Sequence, residues 1–142
     1  MAGLRQKMGE YDEALKLYER ALAGREQHLG SEHPRTLTTV SNLASLRQQQ
    51  GNFDEALTLY QRALAGNEKI HGADHPNTLA TVNNLAGLRH KMGEHDEALK
   101  LYERALAGME KNLGPDHPHT RATVHNLSCL REALNQDQSP GV

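Results

Sequence analysis

The sequence predicts an all-α fold, an α-solenoid of antiparallel helix pairs, on three observations. A unit of 42 residues recurs, because Gly9, Gly51 and Gly93 keep that interval, as do His33-Pro34, His75-Pro76 and His117-Pro118, and Asn42, Asn84 and Asn126. Within the unit, apolar residues fall at helical spacing on either side of a glycine. Between Gly9–Gly30 and Gly93–Gly114, 18 of 22 positions are identical. A fixed period of this length marks an array in which each unit buries its apolar face against its neighbours. Function is then to be sought on a surface that several repeats share.

The elements follow in order. Residues 2–8 read as the stub of a first A helix, with a turn at Gly9-Glu10, since glycine supplies the permissive backbone after a helix end. A B helix is expected over about Asp12–His28, with Asp12 and Glu13 in the first turn, where the helix dipole favours acids. Its residues Ala14, Leu17, Tyr18, Ala21 and Leu22 share one helical face, and small Ala14 and Ala21 mark a close helix approach. Leu29–His33 is a loop, and Pro34 opens the next helix at the favoured first position. Further A helices are expected over about Pro34–Gln50 and Pro76–Lys91, and B helices over about Asp54–His71 and Asp96–Leu113. A last A helix, about Pro118–Asn135, carries Val124, Leu127 and Leu130 and caps the array; 136–142 read as a frayed polar tail. This gives one domain over 1–135: a partial repeat 1–33, repeats 34–75 and 76–117, and the capping helix 118–135.

Composition agrees. Hydrophobic content is 37%, with one Phe and no Trp, too little aromatic volume for a globular core but enough for Ala- and Leu-rich helix pairs. The formal charge of −2 is mixed in sign and shows no electrostatic footprint for nucleic acid. A single cysteine, Cys129, excludes an intramolecular disulfide framework and suits a reducing compartment. No apolar run approaches the roughly 18 residues of a membrane span, and no signal peptide opens the chain. The expectation is a cytoplasmic protein with neither nucleic acid nor membrane as partner. Residues 2–9 (AGLRQKMG) match 86–93 (AGLRHKMG), the end of a helix, so the chain reads as a fragment of a longer array.

The pattern resembles the tetratricopeptide repeat: Leu85-Ala86 in helix A, Gly93 at the turn, then Ala98, Tyr102 and Ala105 along helix B. The aromatic just after the turn is present as Tyr11 and Phe53 but replaced by His95. The 42-residue period, with its lengthened B helix and Leu-Gly-x-x-His-Pro loop, looks like the kinesin light chain subclass. The resemblance covers residues 2 to about 134 and implies a right-handed superhelix whose A helices line a concave groove. One departure is systematic: Arg5, Arg47, Arg89 and Arg131 stand where the family has Tyr or another large apolar residue. Their stems are expected to pack while the guanidiniums pair with acids such as Asp54 or Glu55, rather than forming a basic site on the convex side.

The family's groove positions fall on Thr38, Ser41, Asn42, Ser45, Gln48 and Gln49 in one repeat. The next contributes Ala80, Asn83, Asn84, Gly87, His90 and Lys91, and the last Ala122, His125, Asn126, Cys129 and Glu132. An Asn side chain offers both donor and acceptor, which suits clamping the backbone of an extended peptide. In kinesin light chains the repeated groove Asn does this, and it matches Asn42, Asn84 and Asn126; the same Asn also serves packing between repeats. Of the groove arginines that draw acidic cargo in that subclass, only Arg25 holds its place, the equivalents being Asn67 and Met109. An acidic-cargo preference is therefore not carried over, and a carboxylate clamp fails for the same lack of cations.

Other chemistry finds little support. His33, His75 and His117 lie on successive repeats, roughly 10 Å apart at the packing distance of neighbouring helices. That is too far for one ion with ligands about 2 Å away, so no metal is expected; each of these histidines reads as a helix start. His90 and His125 are placed to approach one another in the groove, and His117 and His119 flank Pro118. Cys129 and His125 form an i, i+4 pair, yet no orienting group or oxyanion site accompanies them, and no phosphate loop appears. The expected function is a protein–protein interaction scaffold that takes an extended peptide or a partner helix, with no catalysis and no cofactor. Two rivals are a structural or self-assembling module, joined through an apolar face around Leu15, Leu17 and Tyr18, and a consensus-like repeat without a natural ligand.

Overall fold

The computed structural model describes the backbone of residues 2–138 and the side chains of residues 9–135. Among the described residues there are six helices and no strand: α1 (Ala2–Leu29), α2 (Pro34–Gln49), α3 (Phe53–His71), α4 (Pro76–Lys91), α5 (His95–Leu113) and α6 (Pro118–Gln138). The chain forms two compact units, Met1–Ile70 and His71–Val142.

The helix boundaries follow from periodic residues. Each His-Pro pair starts an A helix: Nδ1 of His33, His75 and His117 accepts the backbone N–H two residues on, at 3.1 Å in each case. That is N-capping by an imidazole acceptor, with proline supplying the pre-set φ of the first turn. The A helices α2 and α4 end where Gly51 and Gly93 take φ of 85° and 83°. The N–H of Asn52 then bonds the Arg47 carbonyl, and that of Glu94 the Arg89 carbonyl, both at 2.9 Å. These six-to-one bonds complete a Schellman motif that only glycine reaches without strain. Asp54-Glu55 and Asp96-Glu97 open the B helices at the positive end of the dipole.

The first unit differs from expectation at α1. The turn at Gly9-Glu10 is absent; one helix of 28 residues runs from Ala2 through Gly9, whose φ is not positive. Residues 2–8 belong to the same helix as the B segment that follows. Continuing the helix pairs their backbone groups at once. With no A helix laid against it, the close approach expected at Ala14 and Ala21 does not form: Ala21 is exposed and Ala14 half-buried. Leu17 is 65% exposed. On its other side α1 packs against α2, and α2 is held to α3 by Leu37, which seats on Gly66. Arg47 of α2 reaches both neighbours, 3.2 Å from Glu19 and 3.0 Å from Glu55. The arginine position thus pairs with Glu55 as expected, and with Glu19 in addition; the side chain of Arg5 lies outside the described residues.

In the second unit α5 packs between α4 and α6. Ala86, Ala98, Tyr102, Leu127 and Leu130 form a buried cluster, with Leu99, Leu101, Leu106 and Leu134 against it. Leu79 seats on Gly108 so closely that a Cβ there would lie 2.5 Å from the leucine methyl. Arg89 pairs with Glu94, and Arg131 lies 3.7 Å from Glu103. The last helix runs to Gln138, past the expected end at Asn135, because nothing in Gln136-Asp137-Gln138 breaks a helix. The rest of the expected tail, residues 139–142, lies outside the described residues.

Candidate functional site

The sequence-predicted groove positions are best resolved in the first unit, where α1 and α2 border two clefts. One, of about 330 Å³, is walled by Glu10, Tyr11, Ala14 and Tyr18 of α1 and by Asn42, Ser45, Leu46 and Gln49 of α2. The other, of about 270 Å³, is walled by Arg25 of α1 and by Arg35, Thr38, Thr39 and Asn42 of α2. Asn42 belongs to both walls, so the clefts meet at its side chain. The residue is exposed and makes no hydrogen bond to another described residue. Its amide is free to give one bond and take another. Arg25 and Arg35 place two cations on one side of Asn42, while Glu10 lies in the other cleft.

Helical geometry produces this stripe. Arg35, Thr38, Asn42, Ser45 and Gln49 fall at spacings of three and four along α2 and so share a face. Arg35 is not among the expected groove positions, although that periodicity, extended back to the His-Pro start, points to it. Tyr11 and Tyr18 form an aromatic wall of the first cleft that was not among the expected groove positions. Not every predicted residue is free. The Ser45 hydroxyl is engaged by Tyr60; burial raises that phenol above its usual 10.0 and the Ser45 hydrogen bond partly offsets the rise. Ser41 is half-buried.

In the second unit Asn84 is exposed and Asn126 half-buried. Asn83 turns toward α6, where its Oδ1 lies 3.5 Å from the Thr123 hydroxyl. Thr123 itself donates to the His119 carbonyl at 3.0 Å. Lys91 is exposed. His90 finds its partner in His95, Nδ1 to Nδ1 at 3.2 Å, rather than in His125. The His125 Nε2 instead lies 3.7 Å from Sγ of the exposed Cys129. Tyr102 is raised above 10.0 by burial, and further by the charge of Cys129. Among the described residues no three His, Cys, Asp or Glu side chains gather as a metal cluster. No helix among them is long and apolar enough to cross a membrane.

Comparison with known proteins places this geometry. The tetratricopeptide repeat profile matches residues 1–69, 37–111 and 78–139. A kinesin light chain-type protein of Podosopora anserina, with nearly identical TPR-like repeats, superposes with a TM-score of 0.81 at 33% identity, over 96% of this chain and 65% of that one. BtubC (BKLC) from P. vanneervenii gives 0.81 at 28% identity, over 94% of this chain and 54% of that one. The chain thus spans less than two thirds of the length of these solved relatives. No curated protein is significantly similar in sequence. The matches tile residues 1–139, and the 42-residue period and His-Pro helix starts recur in each copy; the chain belongs to the tetratricopeptide repeat family, as an array of the kinesin light chain-like kind.

Proposed function

We propose that the chain is a non-catalytic, cytoplasmic binding scaffold whose A-helix faces take an extended peptide and grip its backbone through the repeated asparagines. Tetratricopeptide repeats mediate protein–protein interaction, which sets the class. The observation that carries the finer reading is Asn42, exposed, without a hydrogen bond to another described residue, and shared by both clefts of the first unit. A merely structural asparagine would spend its amide inside the fold. Asn84 and Asn126 repeat the residue on α4 and α6. Backbone gripping favours extended chain over any one side-chain chemistry, and Arg25 with Arg35 adds local attraction for a carboxylate.

The test is a screen of fluorescent extended peptides by polarisation, followed by single alanine variants. Asn42→Ala and Asn84→Ala each weaken the best binder about tenfold, near 1.4 kcal/mol. Unchanged affinity in both variants would remove the asparagine clamp. The exposed Leu17 on α1 supports a second reading, self-association of the chain. Sedimentation across a concentration range separates the two: Leu17→Glu dissolves a self-associated species and leaves peptide capture intact.

A further inference from the structure

We propose that His90 and His95 form a two-imidazole site for a divalent transition metal ion of the zinc, nickel or copper type. The two Nδ1 atoms face each other at 3.2 Å across the turn between α4 and α5. Two nitrogens bound to zinc at about 2.0–2.1 Å and subtending a tetrahedral angle stand about 3.4 Å apart. The pair is therefore at chelating distance without any backbone movement. Imidazole nitrogen is the donor these ions prefer over magnesium or calcium, which select oxygen.

The turn holds the pair in place. His90 lies in the last turn of α4 and His95 is the first residue of α5. Between them the N–H of Gly93 bonds the His90 carbonyl at 3.0 Å, and that of Glu94 bonds the Arg89 carbonyl at 2.9 Å. Both rings are partly buried, so neither sweeps freely through solvent. Of the two acids adjacent to His95 in sequence, Glu94 is committed to Arg89, and Asp96 is exposed. The chain then supplies two ligands, and water completes the coordination. Without metal, one imidazole donates its Nδ1 proton to the other; on binding, the donor ring carries its proton on Nε2 and both Nδ1 atoms face the ion.

The repeat provides an independent argument. Over residues 86–114 and their equivalents 2–30, 5 of 29 positions differ. Two of those five are His90 and His95, which replace Gln6 and Tyr11 and touch each other. At the matching turn between α2 and α3 the residues are Gln48 and Phe53. Two departures from a near-identical repeat that produce one contacting pair of ligands point to a site rather than to drift in a solvated turn.

The experiment is calorimetric titration of the whole chain with zinc or nickel chloride. It is done in a Cys129→Ser background, which removes the competing His125–Cys129 pair. One metal per chain is expected. His90→Gln and His95→Phe, which restore residues the fold already accepts at the first such turn, each weaken that site at least tenfold, and the double variant abolishes it. Nitrogen chemical shifts of the two rings locate ligation at Nδ1, and circular dichroism confirms that the variants fold. Retention of the same stoichiometry and affinity by the double variant overturns the proposal. So does the absence of saturable binding by the parent chain at millimolar metal.

Discussion

The two units are cut from one repeat in different phase. The first runs B–A–B, with α2 flanked by α1 and α3; the second runs A–B–A, with α5 flanked by α4 and α6. The B sequences at Gly9–Gly30 and Gly93–Gly114 agree at 18 of 22 positions, yet their environments diverge. Ala98, Tyr102 and Ala105 are buried in α5, whereas Ala14 and Tyr18 are only half-buried and Ala21 is exposed in α1. Burial is set by which helix lies alongside, and the local sequence does not determine it. The same lesson holds for A helices. Val40 and Val82 are sealed in α2 and α4, while Val124 in α6 is 44% exposed. On α6 Arg121 replaces the Leu37/Leu79 position and Ser128 the Ala44/Ala86 position. A face that water reaches is thereby made polar, and a face sealed by a B helix stays apolar.

Truncating one sealed and one exposed leucine breaks this comparison most forcefully. Leu88, fully buried in α4, loses about 2–5 kcal/mol on replacement by alanine, the range for large-to-small changes in a sealed site. Leu17→Ala on α1 stays within about 0.5 kcal/mol, as for an exposed position. Denaturant unfolding of the two variants measures both. A large cost at Leu17 would mean that α1 is covered in solution, by its own first residues or by another copy.

Much of this was legible in the sequence because periodicity fixes which helix face is apolar, and the glycine and His-Pro positions fix where helices end. The histidines read as helix starts from their place before proline, and their Nδ1 caps are what the structure adds; the Arg47–Glu55 pair is one of the acid pairings expected at the arginine position. What was not legible depends on a missing neighbour. The turn expected at Gly9 is real at Gly51 and Gly93, where a full A helix precedes it and has a partner to fold onto. At Gly9 the helix continues and φ is not positive. The partner of His90 likewise depends on the turn. His90 contacts His95, the residue just after the turn, whereas the groove position His125 lies against Cys129. Arg35 stands outside the positions that the family pattern marks.

The glycines give a sharper test, since one substitution has opposite signs in the two settings. In the continuous α1, Gly9→Ala removes backbone freedom from the unfolded chain and stabilises by about 0.5–1 kcal/mol. At Gly93, held at φ 83°, alanine is strained and destabilises by about 1 kcal/mol or more. Thermal unfolding of the two variants, scanned side by side, reads the difference as Tm shifts in opposite directions. Loss of stability in both would show that Gly9 forms a turn after all.

The smallest effect separates the two buried phenols at high pH. Tyr60 and Tyr102 are both held above 10.0, chiefly by burial, so the folded state keeps their protons longer than the unfolded chain. The stability this represents is fully present below pH 10.0 and is lost as pH rises through the higher folded values. The units differ in what else acts on the ring. In the first, the Ser45 hydroxyl bonds to Tyr60 and tempers the rise; in the second, the Cys129 charge adds to it. Ser45→Gly, which installs the residue found at position 87, therefore steepens the alkaline loss, and Cys129→Ser makes it shallower. Denaturation midpoints measured from pH 9 to pH 11 follow both. Identical slopes in the two variants would mean that burial alone governs these phenols and that the neighbouring Ser45 and Cys129 do not discriminate between them.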